Sequence, residues 1–511
     1  MKKPAAAAGF AQFRLQMKSG WMLSASLLLA LVSPCFAKDY QVDSQKKFDW
    51  LNQIEIEPGD RILLKRGMTF SGMLAPKGSG TEEAPIQISP YGTGKLPRIE
   101  VKGEHLAGLF LKNVSYWEVE GLEVTNTNGT DEDQGQLFGI YVLADKEEKT
   151  YRHIHIKKCH IHDVNGEVAG KQRGGIHVHI KKLKRSHFDD LRITDCLVEN
   201  IGGVGIGNNS SCGKVKLKKG GHESKNLWTR VYVAGNKVDT TGRNNIIARA
   251  SKDAVYEHNI LANSSRHDTG HSIFCFNTEG IKIQYNEAYG NVGDVKNLDG
   301  HGESDRGGFD ADYNCINTFI QYNYSHDNLW FCGIMKRPTR NVVIRYNISQ
   351  NDKKGIYFYG FDRNKEAENV HIYNNTHYIG KGLNVEVFAE GRTPINTLFE
   401  NNVFYFEEKG EWGPKAKGIN TKFRNNLYFN IEPHPSESQP IQGDPRFVRP
   451  GIVGSDIDLK TMAKLNGYRV RAGSPCIDAG VPIRDNGGLD LLTKEVSSDN
   501  TDLGAFESVD E

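Results

Sequence analysis

Apolar and polar positions repeat along this chain, from about residue 110 to 430, as a series of short coils. In each coil an apolar strand of three to six residues is followed by a short step and then an Asn. The phrases IQYNEAYGN, IQYNYSHDN and IRYNISQND are nearly copies of one another. Most intervals between the Asn residues are 23 to 28 residues, and a fixed period of this length is the signature of a solenoid. The Asn column contains Asn236, Asn259, Asn286, Asn323, Asn347, Asn375, Asn402 and Asn426.

This repeat predicts an all-β fold, because the strands are short and no segment sustains a 3.6-residue period. Asn suits the steps because it tolerates the left-handed backbone region and bonds its own backbone. When coils stack, the Asn amides can also form a ladder. We therefore predict a single-stranded, right-handed parallel β-helix, since parallel crossovers are almost always right-handed. Cys159 and Cys196 occupy the Asn position in earlier coils, which predicts either stacked buried thiols or a disulfide.

The pattern divides the chain into four segments. Residues 1–37 have basic residues, an apolar run and a small-residue end, which is typical of a cleaved secretory signal. Residues 38–100 are predicted as an N-terminal entry and capping segment, and residues 101–430 as the β-helix. Residues 431–511 lose the repeat and are predicted as a C-terminal cap, which solenoids need for solubility.

The charge balance limits the classes of partner. The sequence has 64 Lys and Arg residues against 63 Asp and Glu residues, which gives no argument for a nucleic-acid partner. No segment after the signal approaches the length of a membrane span. We therefore expect a secreted or periplasmic monomer without membrane insertion after signal cleavage.

A second repeating pattern precedes each Asn phrase in the sequence. It is a short strand that begins with a Gly or polar residue followed by an apolar residue. Because strand side chains alternate between faces, every second residue of these strands should point outward. Neighbouring coils lie about 4.8 Å apart, so the outward residues form one continuous face. The outward column is predicted to contain Tyr141, Leu143, His177, His179, Gly207, Asn209, Ile247, Arg249, Phe274, Phe276, Asp310, Asp312, Met335, Arg337, Tyr357, Tyr359, Asn384 and Glu386.

Asp310 and Asp312 are the strongest catalytic candidates on this face. Their i, i+2 spacing puts the carboxyl groups roughly 6–7 Å apart, near the range of two-carboxylate glycoside hydrolysis. The alternatives are a calcium site or a surface pair balanced by arginines. The loop at 297–308 offers further carboxylates or metal ligands, or is simply a solvated polar loop. Its candidates are Asp299, His301, Glu303 and Asp305.

Other side chains on the face are predicted to bind substrate. Arginine can clamp a carboxylate or sulfate in a bidentate way, and aromatic rings can stack on sugars. The predicted substrate-binding residues are His179, Arg249, His271, Arg337, Tyr357, Tyr359 and Glu386. Lys336 is a candidate base for proton abstraction beside a uronate, although strict alternation points it inward.

The coil pattern, the Pro58-Gly59-Asp60 turn and the GSPCIDAG and LGAFE phrases of the tail together resemble the pectate-lyase-like parallel β-helix superfamily. This superfamily contains hydrolases, lyases and epimerases that act on polysaccharides, so the resemblance implies a fold more strongly than a reaction. GGFDAD followed by GIMKR is similar in outline to a lyase arrangement, with Asp310 and Lys336 at the matching positions. The GHG and RIK pattern of polygalacturonases is not matched in order.

We therefore expect a glycoside hydrolase that cleaves a polysaccharide or oligosaccharide with anionic sugars and needs no cofactor. The first alternative is a polysaccharide lyase with a Lys, His or Tyr base, charge neutralisation by arginine or a metal, and possible use of Ca²⁺. The second alternative is a carbohydrate-binding β-helix without catalysis.

Overall fold

The structure is a computed structural model that describes residues 37–508, except for 131–134, 166–170, 172, 182–184, 211–225, 293–304, 335–338, 361–366, 390, 392 and 498. The predicted signal segment, apart from its last residue, lies outside the described residues. So do the candidates Lys336, Arg337, Asp299, His301 and Glu303.

Almost all regular structure belongs to three parallel sheets, which run side by side along the chain's coils. The first sheet consists of Asp39–Val42, Arg61–Lys65, Ile86–Tyr91, Trp117–Glu120, Thr150–Lys157, His187–Thr194, Thr229–Ala234, Val255–Glu257, Lys282–Gln284, Cys315–Gln321, Arg340–Arg345, Glu368–Tyr373, Thr397–Glu400 and Lys422–Arg424, with Thr278–Glu279 paired to one side. The second consists of Thr69–Ser71, Arg98–Glu100, Glu123–Asn126, His160–Val164, Leu197–Ile201, Lys237–Thr241, Ile260–Ala262, Glu287–Tyr289, Tyr324–His326, Ile348–Gln350, Thr376–Ile379, Val403–Phe406, Leu427–Phe429 and Ile441–Gln442. The third consists of Ala107–Lys112, Phe138–Ala144, Gly174–Ile180, Val204–Ser210, Ile246–Arg249, Ile273–Phe276, Gly307–Ala311, Trp330–Ile334 and Gly355–Tyr359.

Each coil contributes consecutive strands to these sheets, so the architecture is the predicted parallel β-helix. The first strands already lie within residues 38–100, beside the helix Gln45–Leu51. Ser44 caps this helix by accepting a hydrogen bond from the Lys47 amide. Phe48 is fully buried and stacks on Phe70 with ring centroids 5.0 Å apart, which gives the start of the solenoid an apolar cover.

The Asn column forms the predicted ladder inside the β-helix. From Asn236 to Asn402, each Asn donates from its backbone N–H and its side-chain amide to the Oδ1 of the Asn one coil later, at 2.9–3.1 Å. The ladder starts where Cys196 N–H donates to Asn236, and it ends where Asn426 donates to Glu437. Buried amides are therefore satisfied coil by coil, as buried polar groups must be.

The C-terminal segment packs along the second sheet, in addition to covering the last coils. Tyr324 Oη donates to the carbonyl of Val453 at 2.9 Å, and the Ile457 N–H donates to buried Glu287 at 2.9 Å. An apolar cluster of tyrosines from the coils and aliphatic residues from the tail buries the contact. The last regular element of this tail is the 3₁₀ helix Ala463–Tyr468.

The cysteines in the described part of the chain are all buried thiols without a disulfide. They are Cys159, Cys196, Cys275, Cys315, Cys332 and Cys476. In the same part of the chain, no helix is long and apolar enough to cross a membrane.

Candidate active site

The candidate site lies on the outer face of the third sheet, where the strand register brings distant residues together. Asp310 pairs with Phe274 on one side and with Gly333 on the other. Its neighbours Phe309 and Ala311 are fully buried in the core, so the Asp310 side chain points to the opposite face. The outward direction predicted for this residue from strand alternation is what the structure has.

The Asp310 carboxylate lies beside His271, which stands one coil earlier. His271 Nδ1 accepts a hydrogen bond from the backbone N–H of Gly307 at 3.0 Å. The proton of the neutral imidazole therefore belongs on Nε2, which lies 3.5 Å from Asp310 Oδ2 and 3.6 Å from Asp305 Oδ1. Only 2% of the His271 and Asp310 side chains is exposed, whereas Asp305 is 23% exposed. His271 thus bridges a buried carboxylate and an accessible one.

Two glycines make room for this arrangement. A Cβ on Gly307 would lie 2.9 Å from His271 Nδ1, and a Cβ on Gly333 would lie 2.9 Å from Asp310 Oδ1. Both contacts are closer than packed atoms tolerate. The imidazole and the carboxylate therefore lie across the space that a side chain of the next coil would occupy.

Lys171 links Asp305 to the rest of the site. Its Nζ lies 3.6 Å from Asp305 Oδ2 and 4.8 Å from the centre of the Phe274 ring. Burial lowers the pKa of Lys171, and the charges of Asp305 and Asp312 oppose that shift. Lys171 was missed in the sequence because it lies before the strand Gly174–Ile180, outside the repeating pattern from which the outward residues were predicted.

Arg249 and Asp312 form the second charged part of the site. The Arg249 guanidinium lies 5.7 Å and 5.5 Å from the ring centres of Phe274 and Phe276, within cation–π range. Burial lowers the pKa of Arg249 to about 10, and the charge of Asp312 opposes this shift. Asp312 is partly exposed, and its backbone carbonyl accepts a hydrogen bond from Thr339 at 2.6 Å. In the register, Phe276 lies between Arg249 and Asp312, one coil from each, so the two charges stand on the same face with an aromatic ring between them.

His179 lies on the same face but at a distance from the carboxylates. Its Nδ1 shares a hydrogen bond of 3.0 Å with the Tyr141 hydroxyl. Along its column of the sheet, His179 pairs with Asn209 in the next coil. Arg249, Phe276 and Asp312 follow in the three coils after that, so Asp312 is four coils from His179. At about 4.8 Å per coil, His179 is separated from the Asp312 coil by roughly 19 Å. It can contact only an extended ligand together with that carboxylate.

The prediction that Tyr357 and Tyr359 face the substrate was wrong. Both are fully buried in the core. The Tyr357 hydroxyl bonds His377 Nε2, and the Tyr359 hydroxyl bonds Thr397 Oγ1, each at 3.0 Å. The outward residue of that strand is Phe358, which the register places beside Gly333.

Glu386 lies at the far end of the face. Gly307 pairs with Trp330, Trp330 pairs with Gly355, and Gly355 pairs with Glu386. Glu386 therefore lies three coils away from Gly307. Burial and the charge of Glu411 raise its pKa. The structure thus does not bring Glu386 to the carboxylates of the central coil.

A metal ion needs several ligand atoms from His or acidic side chains close together, so the places that matter are those where the described residues bring three such atoms near one another. Among those residues, three donors from separate His or acidic side chains come within 4.8 Å of one another at Glu118, His153 and His155. That group stands on the first sheet. Among the residues that the structure describes, the carboxylates near His271 form no such group, and His271, Lys171 and Arg249 stand beside them.

Comparison with known proteins supports the fold. No family model matches the chain. It is 26% identical to a lacto-N-biosidase of Bifidobacterium longum subsp. longum, over 98% of its own length but 38% of that protein. The structure is similar to a crystal structure of a GH136 lacto-N-biosidase from Eubacterium ramulus, at 18% identity and a TM-score of 0.52, over 80% of this chain and 67% of that one. It is also similar to XylC in complex with xylose, at 12% identity and a TM-score of 0.51, over 92% and 98% of the two chains.

Proposed function

We propose that this protein is a glycoside hydrolase that cleaves an oligosaccharide on the outer face of the third sheet. The observation that carries the proposal is the group of three aspartates, Asp305, Asp310 and Asp312, beside His271 and Arg249. Glycoside hydrolysis needs one carboxyl group to protonate the leaving oxygen and a second to act as base or nucleophile. The similarity to lacto-N-biosidases supports the same reaction class.

Burial divides the three carboxylates between two kinds of role. A group that touches the glycosidic bond must be accessible, and Asp305 and Asp312 are partly exposed whereas Asp310 is 1% exposed. We assign the substrate-contacting pair to Asp305 and Asp312. Asp310 then acts as a positioning residue through its charge contact with His271 Nε2, which lies 3.5 Å from Asp310 Oδ2 and 3.6 Å from Asp305 Oδ1. The charge of Asp312 stabilises the Arg249 guanidinium against the effect of burial, so the two groups are electrostatically coupled within the site.

The test compares Asp305→Asn, Asp310→Asn and Asp312→Asn on a substrate with a poor leaving group. Loss of a general acid or base lowers kcat by about 10²–10⁴-fold, so Asp305→Asn and Asp312→Asn should fall in that range. Asp310→Asn should fall less and mainly alter the pH profile. Asp312→Ala with azide should yield a glycosyl azide if Asp312 occupies the reacting face. Full activity of both Asp305→Asn and Asp312→Asn would overturn the assignment.

We further propose that the substrate carries a uronate or sulfate group near the carboxylates. Two half-buried cations, Arg249 and Lys171, stand within the site, and a guanidinium can bind a carboxylate through two parallel hydrogen bonds. Matched neutral and sulfated oligosaccharides would test this, together with an aryl glycoside of the disaccharide for which the lacto-N-biosidases are named. A higher kcat/KM for the neutral substrates, unchanged in Arg249→Ala, would contradict the anionic substrate.

A β-elimination is the second candidate reaction. The observation that favours it is the position of Lys171, whose Nζ lies 3.6 Å from Asp305 Oδ2 and whose pKa burial lowers, because a lowered pKa makes the neutral amine more available as a base. The product distinguishes the two reactions, because a lyase generates an unsaturated uronate that absorbs in the ultraviolet. A hydrolase generates reducing ends without that absorbance. Ca²⁺ belongs only to the lyase reading, and the hydrolase reading requires no cofactor.

The place of action and the oligomeric state complete the proposal. We propose export with cleavage after Ala37, which N-terminal sequencing of the exported protein tests directly. We also propose a monomer, which light scattering coupled to size exclusion tests. Neither depends on the assignment of Asp305 and Asp312.

A further inference from the structure

Two pairs of histidines stand within one short segment of the sequence, HIHIKKCHIHD. His153 and His155 belong to the strand Thr150–Lys157 of the first sheet, and His160 and His162 to the strand His160–Val164 of the second. Both pairs have the i, i+2 spacing that puts side chains on one face of a strand. The sequence alone does not distinguish them, but their surroundings in the structure differ.

The first pair faces carboxylates from the coils on both sides. His153 Nε2 lies 3.0 Å from Glu118 Oε1 of the preceding coil. His153 Nδ1 and His155 Nε2 lie 3.1 Å and 3.0 Å from the same oxygen, Asp190 Oδ2, of the following coil. The two imidazole rings are 3.7 Å apart between centroids. One donor atom each from Glu118, His153 and His155 falls within 4.8 Å of the other two.

The backbone brings His153 and Asp190 into this cluster. Both residues have positive φ, 52° and 66°, which a non-Gly residue adopts at a cost. The ladder register passes over each of them, since Arg152 pairs with Asp189 and Ile154 with Leu191. The resulting bulges re-aim the two side chains toward the outward column that contains His155 and Glu118.

We propose that Glu118, His153 and His155 bind a divalent transition-metal ion of the zinc class on the outer side of the first sheet. Two imidazoles and a carboxylate are a common three-ligand set for Zn²⁺, which leaves a fourth position for water. Zinc bonds of about 2.0–2.2 Å place donors roughly 3.3 Å apart, so closing the site needs movements of about 1 Å. The His153 and Glu118 side chains are 24% and 23% exposed and have room for such movement.

Asp190 supplies the outer partner that such a site needs. Its Oδ2 lies 3.1 Å from His153 Nδ1 and can accept the Nδ1–H when a metal ion takes the lone pair of Nε2. A carboxylate that hydrogen-bonds the second nitrogen of a ligating histidine fixes its tautomer and orientation. Arg192 donates to the other oxygen, Oδ1, at 2.8 Å and so holds Asp190 in place.

The second pair is a matched control, because its donors diverge. His160 Nε2 contacts Glu199 of the following coil at 2.7 Å, whereas His162 Nε2 contacts Glu123 of the preceding coil at 3.1 Å. The rings stack at 4.3 Å, but each histidine is matched to a different carboxylate. Within the described residues, this pair forms no group of three converging donors.

The experiment is equilibrium dialysis of the tag-free full chain against Zn²⁺ after chelator treatment, with the absorption of bound Co²⁺ as a second readout. Wild type and His160→Ala/His162→Ala should bind about one ion per chain, and His153→Ala/His155→Ala should lose that ion. Asp190→Asn should weaken binding by about 10–100-fold without abolishing it. Glu118→Gln, which is isosteric, tests the same site if the double alanine variant does not fold.

Binding by wild type that Glu118→Gln or His153→Ala/His155→Ala leaves unchanged would overturn the proposal, as would no binding by wild type. Glycosidase activity is not needed for either readout, so the outcome is independent of the function proposed for the third sheet.

Discussion

Substitution of Gly333 by alanine tests whether the position of the Asp310 carboxylate matters for catalysis. The added Cβ would lie 2.9 Å from Asp310 Oδ1, 3.3 Å from its Cγ and 3.5 Å from its Cβ. Carbon contacts are most favourable at about 3.5–4.0 Å, so the carboxylate must move by roughly half an ångström. A misplacement of about 1 Å in an active site can cost 10²-fold in rate, and we therefore expect about a tenfold fall in kcat for Gly333→Ala.

The assay measures kcat and KM on the cleaved oligosaccharide, with Gly454→Ala as the control. A Cβ on Gly454 meets nothing within 4 Å, so this variant should be as active as wild type. A double-mutant cycle isolates the cause, because Gly333→Ala should have little further effect once Asp310→Ala has removed the clashing carboxylate. Unchanged kcat in Gly333→Ala, or an equal loss in the Asp310→Ala background, would refute the reasoning.

Two further predictions concern stability. Asn323→Ala removes the donor to the buried carbonyl of Ile283 and the acceptor for two N–H groups of Asn286. The Asn286 side-chain amide keeps its bonds to the carbonyls of Tyr256 and Gln284, so two groups lose this partner, the Ile283 carbonyl and the Asn286 backbone N–H. At about 1–3 kcal/mol per unsatisfied group, the variant should lower the free energy of unfolding in urea by about 2–6 kcal/mol. The control is Asn341→Gly, about 1 kcal/mol or less, because the Asn341 amide bonds Asn317 and Asn369 at exposed positions. Equal losses would contradict a buried ladder. Burial raises the pKa of Asp352 to about 6 from 3.8, so its ionisation destabilises the native state as the pH rises from 4 to 6. Asp352→Asn should therefore gain about 2 kcal/mol relative to wild type between pH 4 and pH 7, and a constant difference between the two would show that Asp352 does not titrate in this way.

The Asn column was predictable because its chemistry is local. Each Asn of the ladder bonds the equivalent Asn one coil later, so a repeated residue at a repeated interval carries the whole interaction. The interval also fixes which strands are neighbours. For this reason the outward direction of Asp310 and its closeness to Phe274 followed from the sequence.

The orientation of Tyr357 was not predictable from the same alternation, because two consecutive residues face inward where each strand of the third sheet begins. Ile356 and Phe331 occupy the same position in their coils as Gly308 and Gly205 do in earlier coils. A Cβ on Gly205 would lie 2.3 Å from core Val238, so that column points into the interior. The sequence pattern aligns Gly355 with Gly308, whereas in the structure Ile356 is the residue equivalent to Gly308. The predicted inward and outward positions of this strand were therefore wrong by one residue.

Glycines in two columns of the third sheet argue for a rule that connects sequence to chemistry in this fold. Four side chains on the outer face each lie across a glycine of the next coil. A Cβ would come within 2.8 Å of His177 at Gly207, 2.9 Å of His271 at Gly307, 2.9 Å of Asp310 at Gly333 and 2.3 Å of Trp330 at Gly355.

Coils only about 4.8 Å apart leave no space for a large ring or carboxylate to lie flat unless the next residue in the column has no side chain. A glycine in the outward register therefore indicates that the residue one coil earlier is held down against the sheet. Single-residue motifs do not contain this information, because in all four pairs the outer side chain and the glycine that accommodates it are 23 to 36 residues apart. The information appears when residues at equivalent positions of successive coils are compared. This comparison identifies His271 and Asp310, rather than the more exposed His179, as side chains held against the sheet.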